Sequence, residues 1–237
     1  IISSRIDVII IKKILGLEVV ASYALAKGST DYLNILPISI STVLFPYLSK
    51  SFTYEKTEFL NSLDIVKKIA RILTAVAIPL IIIFLFWGED IFALVFSAKY
   101  SDAGGLFRII IWSILFSFMV HLTETPIVAG PKPYVNVYIQ VLSMILYTIA
   151  LVIILPKYGI RGAALSYLGI EALAFILRME YVKRKIVRLK YRDFFLKPIL
   201  AGALMTLVCL ISKNIPYTLL GLVVYAAVLF FTGGLKK

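Results

Sequence analysis

Residues 134–177 read YVNVYIQVLSMILYTIALVIILPKYGIRGAALSYLGIEALAFIL, and this pattern decides the fold class. Two apolar runs, 134–155 and 162–177, are joined by the short polar stretch LPKYGIRG. The runs approach or reach the roughly 20 apolar residues that one helical crossing of a bilayer needs. Because glycine and proline mark tight turns, we expect two antiparallel helices that pack side by side.

The same alternation of apolar runs and short turns continues along the whole chain. Hydrophobic residues make up 61% of the sequence and the mean hydropathy is +0.96, whereas soluble domains contain roughly 45 to 50% apolar residues. The prediction is an all-α, polytopic membrane helix bundle with about eight transmembrane helices. We place them at 1–26, 32–48, 69–87, 106–129, 134–155, 162–177, 194–212 and 217–231.

The basic residues indicate orientation rather than a nucleic-acid partner. The net charge is +12, but the charges fall between apolar runs and do not form one basic face. Eight antiparallel helices divide the loops into two sets, which hold sixteen and six of the 25 Lys and Arg residues. Since cytoplasmic loops are enriched in Lys and Arg, the run 178–197 is predicted to be cytoplasmic. The sequence therefore predicts a multi-pass protein of the cytoplasmic membrane with no nucleic-acid partner.

The residue types needed for several kinds of chemistry are scarce. The chain has one cysteine, Cys209, and one histidine, His121, so no intrachain disulfide and no Cys/His metal cluster is possible. A glycine-rich nucleotide loop and a nucleophile with its base are also missing from the sequence pattern. We therefore predict a non-enzymatic protein without a metal or cofactor.

The first predicted helix carries charges that are costly in hydrocarbon. Arg5 and Lys12 are seven residues apart, which puts them on nearly the same helix face. Such a cationic stripe offsets the desolvation of an anionic ligand in a water-filled cavity. Alternatively, Arg5 pairs with Asp7 and reaches toward water. Lys13 lies either at the cavity edge or at the membrane interface.

Three further residues are candidates for coupling transport to an ion, together with Asp7. Glu171 lies near the middle of the sixth predicted helix, where it is either a proton site or the partner of Lys12 in an ion pair. His121 and Glu124 lie one turn apart on the fourth. They can exchange a proton, or His121 is simply hydrogen-bonded within the bundle.

An ordered series of motifs carries a family resemblance. It consists of RIDVIIIKKILGLEVVASYALA at 5–26, FPYLSK at 45–50, LVFSAKYSDAGGLFRI at 94–109, AGPKPY at 129–134 and LPKYGIRGAALSY at 155–167. In order and spacing, this series resembles the polysaccharide and lipid-linked oligosaccharide flippases, whose superfamily also contains the multidrug and toxin extruders. The match runs from residue 1 to about residue 184.

The resemblance implies an exporter fold with two lobes that face each other across a central cavity. Residues 1–184 correspond to the C-terminal lobe of six transmembrane helices, and 185–237 to the end of the basic loop and two trailing helices. The resemblance also implies an N-terminal lobe, a required partner that this sequence does not include. The implied substrate is a polyprenyl-pyrophosphate-linked oligosaccharide that moves from the cytoplasmic to the outer leaflet by alternating access. Arg5, Lys12 and Lys13 are then expected to bind the pyrophosphate, and Tyr23 to face the sugar.

Two other functions remain open from the sequence. An ion-coupled multidrug or metabolite extruder of the same superfamily favours acidic and aromatic residues over cations in its cavity. An intramembrane enzyme that acts on lipid-linked sugars needs paired carboxylates facing one cavity, and the sequence pattern does not predict such a pair.

Overall fold

The computed structural model describes residues 6–52, 56–97, 100–186, 192–212 and 214–232. All the regular elements of this described part are α-helices. In chain order they are α1 (Ile6–Leu15), α2 (Leu17–Leu33), α3 (Ile35–Ser51), α4 (Lys56–Phe96), α5 (Ser101–Ile110), α6 (Ser113–Ala129), α7 (Tyr134–Lys185), α8 (Arg192–Ile211) and α9 (Ile215–Phe231).

The chain reverses direction between α1 and α2. Gly16 has a φ of 90°, a backbone conformation that glycine adopts without steric cost. The Tyr23 hydroxyl donates to Oδ2 of Asp7 at 3.0 Å, although residues 16 apart would be about 24 Å apart along one straight helix. The predicted single helix at 1–26 is therefore wrong. The apolar composition continues through the turn, and only the backbone of Gly16 marks it.

α2 and α3 together form one long span. The backbone N–H of Asn34 donates to Thr30 at 2.9 Å, and that of Ile38 donates to Asn34 at 3.1 Å. Helical hydrogen bonding thus passes through the junction, and Val19–Ser51 forms a 33-residue apolar span. The predicted turn at 26–31 and the separate helix at 32–48 are corrected accordingly.

α7 is a hairpin of two helices. Gly159 interrupts it with a φ of 58° and a ψ of −149°, and the rings of Tyr147 and Tyr167 lie 6.3 Å apart between centroids. A straight helix would separate residues 20 apart by about 30 Å. We call 134–158 the first arm and 160–185 the second arm. The antiparallel pair predicted at 134–155 and 162–177 is confirmed.

The helices are numerous and apolar enough for a polytopic membrane bundle. Within the described residues, four helices are long and apolar enough to cross a membrane, and α5 with α6, bent by 53°, makes a fifth. One of the four is α7, which contributes two arms, and α1 and the 17-residue α9 add to the set. The all-α bundle of about eight helices is confirmed, with the first two bounded differently from the prediction.

Two apolar clusters hold the bundle together. The larger cluster joins α1 to α7 with the start of α8, and the smaller joins α4, α8 and α9. Large apolar side chains such as Val141, Ile149 and Val152 are exposed on the outside of the first arm of α7. In a bilayer these side chains contact lipid, whereas the polar residues of the same arm face inward.

Candidate functional site

A polar cavity of about 420 Å³ lies between α1, α2, α6 and the two arms of α7. Ionisable side chains at membrane depth are costly, and they usually line a water-filled path or a binding site. The polar lining consists of Lys27, Asp31, Asn34, Ser117, His121, Glu124, Gln140, Ser143, Tyr147, Tyr167, Glu171 and Arg178.

The two arms of α7 supply half of this lining by simple helical periodicity. On the first arm, Gln140, Ser143 and Tyr147 follow at spacings of three and four residues. On the second arm, Tyr167, Glu171 and Arg178 follow at four and seven. These spacings keep each set on one helix face, and the turn at Gly159 brings the two faces together around the cavity.

Asp7 is the centre of a buried polar cluster beside the cavity. Its side chain is 1% exposed and forms an ion pair with the ammonium of Lys27. The hydroxyls of Tyr23 and Tyr147 donate to Oδ2 at 3.0 and 3.2 Å, and the backbone N–H of Val8 donates to Oδ1 at 2.9 Å. The carboxylate is therefore fully engaged, which offsets the cost of burying its charge.

Lys27 extends from this cluster toward the cavity. Its Nζ lies 5.2 Å from the ring centroid of Tyr167 and 6.0 Å from that of Tyr147, distances at which a cation is attracted to an aromatic face. The cluster thus ties α1 and α2 to both arms of α7 and places an ammonium group on the cavity wall.

A second polar chain joins two residues of the cavity lining, Glu124 and Arg178, nearer the end of α6. Asn136 uses both ends of its amide: Nδ2 donates to Oε1 of Glu124 at 2.7 Å, and Oδ1 accepts from Nε of Arg178 at 2.9 Å. Asn136 and Arg178 are 5% and 4% exposed. Three separate helical segments, α6 and the two arms, are connected by this chain.

The two serine hydroxyls of the lining differ in whether they have a hydrogen-bond partner. The Ser143 hydroxyl is buried and has no partner among the described residues. Ser117, by contrast, donates to Oδ1 of Asn34 at 3.0 Å. Since a buried polar atom without a partner costs free energy, Ser143 indicates that this wall is completed by a polar ligand or by water.

Three of the four predicted substrate-binding residues, Lys12, Lys13 and Tyr23, lie outside the cavity lining. Lys12 and Lys13 are exposed near the Gly16 turn and do not line the cavity. Tyr23 is fully buried against Asp7. Arg5 lies outside the described residues. The position of Lys13 at a helix end matches its interfacial alternative, and Lys12 does not extend a cationic stripe along the cavity.

The predicted ion-coupling residues are distributed differently. His121, Glu124 and Glu171 all line the cavity, whereas Asp7 is buried behind it. Glu171 shares the cavity lining with Arg178 and Lys27, whereas Lys12 lies outside that lining, so the structure does not support the predicted pairing with Lys12. The cavity also holds several carboxylates, contrary to the prediction that no two face one cavity.

Sequence reasoning missed two cations and an amide. Arg178 was expected in the cytoplasmic basic run and Lys27 in a loop, but both line the cavity. The spacing contains a signal for Arg178, because it follows Glu171 by seven residues and therefore shares its face. Asn136 and Lys27 have no comparable signal, since their partners are distant in sequence. Among the described residues, no cluster of three His, Cys, Asp or Glu side chains could hold a metal ion.

Comparison with known proteins finds similarity to polysaccharide biosynthesis and transport proteins, the class that the sequence motifs indicate. A family model described as "Polysaccharide biosynthesis protein" matches residues 1–104. The capsular polysaccharide biosynthesis protein CapF of Staphylococcus aureus is 28% identical over 173 residues, which are 73% of this chain and 42% of CapF. A putative O-antigen transporter of Shigella flexneri is 25% identical over 162 residues, 68% of this chain and 38% of that protein. The predicted resemblance to the polysaccharide flippase superfamily is confirmed.

One solved structure has a similar fold along the full chain. All of the described protein superposes on 52% of the lipid II flippase MurJ in an inward closed conformation, with a TM-score of 0.76 and 16% sequence identity. At this identity the match concerns the fold alone. The chain spans about two fifths of the two curated polysaccharide relatives and about half of the flippase structure.

Proposed function

We propose that this chain forms one lobe of a flippase that moves a polyprenyl-pyrophosphate-linked oligosaccharide from the cytoplasmic to the outer leaflet. The observation that carries this proposal is the charged cavity inside a membrane fold that superposes on half of a lipid II flippase. Its proposed location is the cytoplasmic membrane. The proposed activity is transport rather than catalysis, which is supported by the similarity to a putative O-antigen transporter.

The lining suits a ligand that combines a charged and a sugar part. Lys27 and Arg178 are cations that can form charge-assisted hydrogen bonds with a diphosphate. Gln140 and Ser143 offer an amide and a hydroxyl, and Tyr147 and Tyr167 offer aromatic rings with hydroxyls, all suited to sugar hydroxyl groups. Recognition of both parts would then occur within one cavity of about 420 Å³.

Alternating access is proposed with a second lobe as the partner. A single lobe supplies one wall of the central cavity, and an N-terminal lobe that faces it would supply the other. Rocking of the two lobes would expose the cavity first to the cytoplasm and then to the outer leaflet. The proposed boundary follows the sequence interpretation, with the lobe at 1–184 and the trailing helices within 185–237.

The predicted site residues enter the proposal with different expectations. Pyrophosphate binding by Arg5, Lys12 and Lys13 and sugar binding by Tyr23 stay predictions, although Lys12, Lys13 and Tyr23 do not line the cavity. His121, Glu124 and Glu171 remain candidates for ion coupling, supported by their place in the lining. Asp7 remains a candidate as well, although its carboxylate is already engaged by Lys27 and two tyrosines.

Export of surface polysaccharide tests the proposal. In cells that depend on the full-length protein, Arg178→Gln is expected to lower surface polysaccharide at least tenfold, a loss of about 1.4 kcal/mol or more. Arg184→Gln is the matched control, because Arg184 lies on the same helix but its side chain is 72% exposed. Both variants are compared at equal membrane protein levels. Normal export by the Arg178→Gln variant would show that translocation does not depend on Arg178.

One observation favours the extruder as a second candidate. The carboxylates Asp31, Glu124 and Glu171 outnumber the cations Lys27 and Arg178 in the lining, and carboxylates with aromatic rings suit organic cations. Growth in toxic organic cations distinguishes the two functions. An extruder protects cells in a manner that depends on Glu171, whereas a polysaccharide flippase gives no protection.

The enzymatic alternative is tested by turnover. Several carboxylates at one cavity would be compatible with acid–base chemistry. Purified protein in detergent is incubated with a lipid-linked oligosaccharide, and product is followed by mass spectrometry. A transporter leaves the substrate unchanged, while conversion without a second compartment would support an enzyme.

A further inference from the structure

Arg178 is buried beside a carboxylate, yet the two do not form a direct ion pair. Within the described residues, the salt bridges include none that involves Arg178. A guanidinium and a carboxylate in a low-dielectric interior normally meet through two parallel hydrogen bonds. Here Asn136 stands between them and bonds to Glu124 and to Arg178. The amide separates groups that would otherwise attract each other strongly.

The arrangement leaves most donors of Arg178 available. A guanidinium carries five N–H donors. Nε donates to Asn136, and Nη1 reaches the carbonyl of Ala174 at 3.4 Å, near the upper limit for a hydrogen bond. The remaining N–H groups belong to a side chain that is 4% exposed and lines the cavity. Because this side chain borders the cavity, an anionic ligand there can accept hydrogen bonds from these N–H groups.

A direct Glu124–Arg178 pair would abolish this capacity. Two parallel hydrogen bonds to the carboxylate would occupy the outer edge of the guanidinium and neutralise its charge. Asn136 prevents this outcome because its amide offers a donor to Glu124 and an acceptor to Arg178. The amide nitrogen partly satisfies the Glu124 carboxylate and the amide oxygen partly satisfies the Arg178 guanidinium, while the two charged groups stay apart.

We propose that Asn136 is a positioning residue that holds Glu124 and Arg178 apart, so that Arg178 can bind the diphosphate of a lipid-linked substrate. This inference rests on the proposed function and deepens it, since it names the residue that receives the diphosphate and the one that keeps it available. The neutral amide thereby determines whether the cavity accepts an anion.

Binding measurements on the full-length protein test the proposal. The protein is placed in phosphatidylcholine nanodiscs and titrated with farnesyl diphosphate and with inorganic pyrophosphate. Arg178→Gln and Asn136→Ala are each expected to weaken binding of both probes about 10- to 100-fold, the value of one charge-assisted hydrogen bond or more. Asn214→Ala, an exposed site that precedes α9, is the control and should bind normally.

The double variant Glu124→Gln/Asn136→Ala separates positioning from general structural damage. Removing the charge of Glu124 removes the group that captures Arg178, so binding should return to within about threefold of the wild-type protein. A structural defect caused by loss of Asn136 would not be repaired by this second change. Normal binding by Asn136→Ala, or failure of the double variant to recover, would overturn the inference.

Two further outcomes identify the ligand. If phosphatidylglycerol nanodiscs abolish diphosphate binding, the site holds a bilayer lipid headgroup, and assignment to a substrate diphosphate is overturned. Absence of any Arg178-dependent binding to the wild-type protein overturns it as well. Intact Arg178-dependent binding without polysaccharide export would contradict only the proposed function, so the two failures are distinguishable.

Discussion

At the scale of single residues, Asp7 shows how a bundle can contain a charge at membrane depth. Its carboxylate accepts hydrogen bonds from two tyrosine hydroxyls and pairs with Lys27 on the neighbouring helix. Removal of one member of a buried pair costs more than removal of both, because the remaining charge loses its partner. The cluster therefore supports the packing of α1 and α2 against α7 as well as the cavity wall.

Asp7→Asn should destabilise the protein measurably. We expect a loss of about 3 kcal/mol, which lowers Tm by roughly 6 to 12 °C for a chain of this size. The measurement is thermal unfolding of the purified protein in detergent, followed by intrinsic fluorescence.

The double variant Asp7→Asn/Lys27→Met provides the control for this prediction. It removes both charges and should recover a large part of the lost Tm. If the single and double variants unfold at the same lower temperature, the ion pair is not the source of the stability.

At the scale of helices, prolines and glycines decide where the chain bends and which groups need partners. Pro79 lies inside α4 and lacks the N–H that would bond the carbonyl of Ala75. The hydroxyl of Tyr225 on α9 donates to that carbonyl at 2.8 Å. A trailing helix thus satisfies a backbone group that would be unpaired in a bilayer.

Tyr225→Phe should weaken the packing of α9 against α4. The expected cost is about 1 kcal/mol, since a buried carbonyl loses its donor. Thermal unfolding in detergent measures the effect.

The control is to measure the effect of Tyr225→Phe on Tm in a protein that also carries Pro79→Ala. An alanine at this position restores the backbone N–H, so loss of the Tyr225 hydroxyl should then cost less than half as much. Equal costs in both backgrounds would show that the hydroxyl does not act through the proline-freed carbonyl.

At the scale of the whole molecule, polar contacts order the helices along one axis. Along the bundle axis, Lys27 on α2 lies at the same height as Tyr147 and Tyr167 on the two arms of α7. Further from Gly16 on the same span, the hydroxyl of Ser41 donates to the backbone carbonyl of His121. Asn136 and Arg178, which are bonded to each other, lie further from the Gly159 turn than Tyr147 and Tyr167 do. The turn at Gly16 therefore lies at the same end as the Gly159 turn, opposite the end of α7. This order keeps the described basic residues Lys50, Lys183, Arg184 and Lys185 at one end of the bundle, as the loop charges predict.

Cysteine labelling tests the proposed orientation. Cys209 is buried and is first replaced by serine, after which Lys12→Cys and Lys183→Cys are made separately. In intact cells, a membrane-impermeant maleimide should label the Lys12→Cys protein and not the Lys183→Cys protein, because positive loops remain cytoplasmic.

Permeabilised cells provide the control for labelling. Both variants should react there, since Lys12 and Lys183 are exposed. The reverse pattern in intact cells would place the basic run on the outer side and contradict the predicted topology.

The sequence by itself determined the membrane-helix class, the approximate number of spans, the α7 hairpin and the family resemblance. These features depend on local composition and on turn residues such as Gly159, which each segment carries independently of its neighbours. Only the tertiary structure decided that the chain reverses at Gly16, that Lys12 stays outside the cavity, and that Arg178 lies inside it. The partner of a charged side chain depends on helix rotation and on contacts between distant segments, such as Asn136 with Arg178, 42 residues apart. Periodicity can place a residue on a helix face, but the packing of the other helices determines what that face meets.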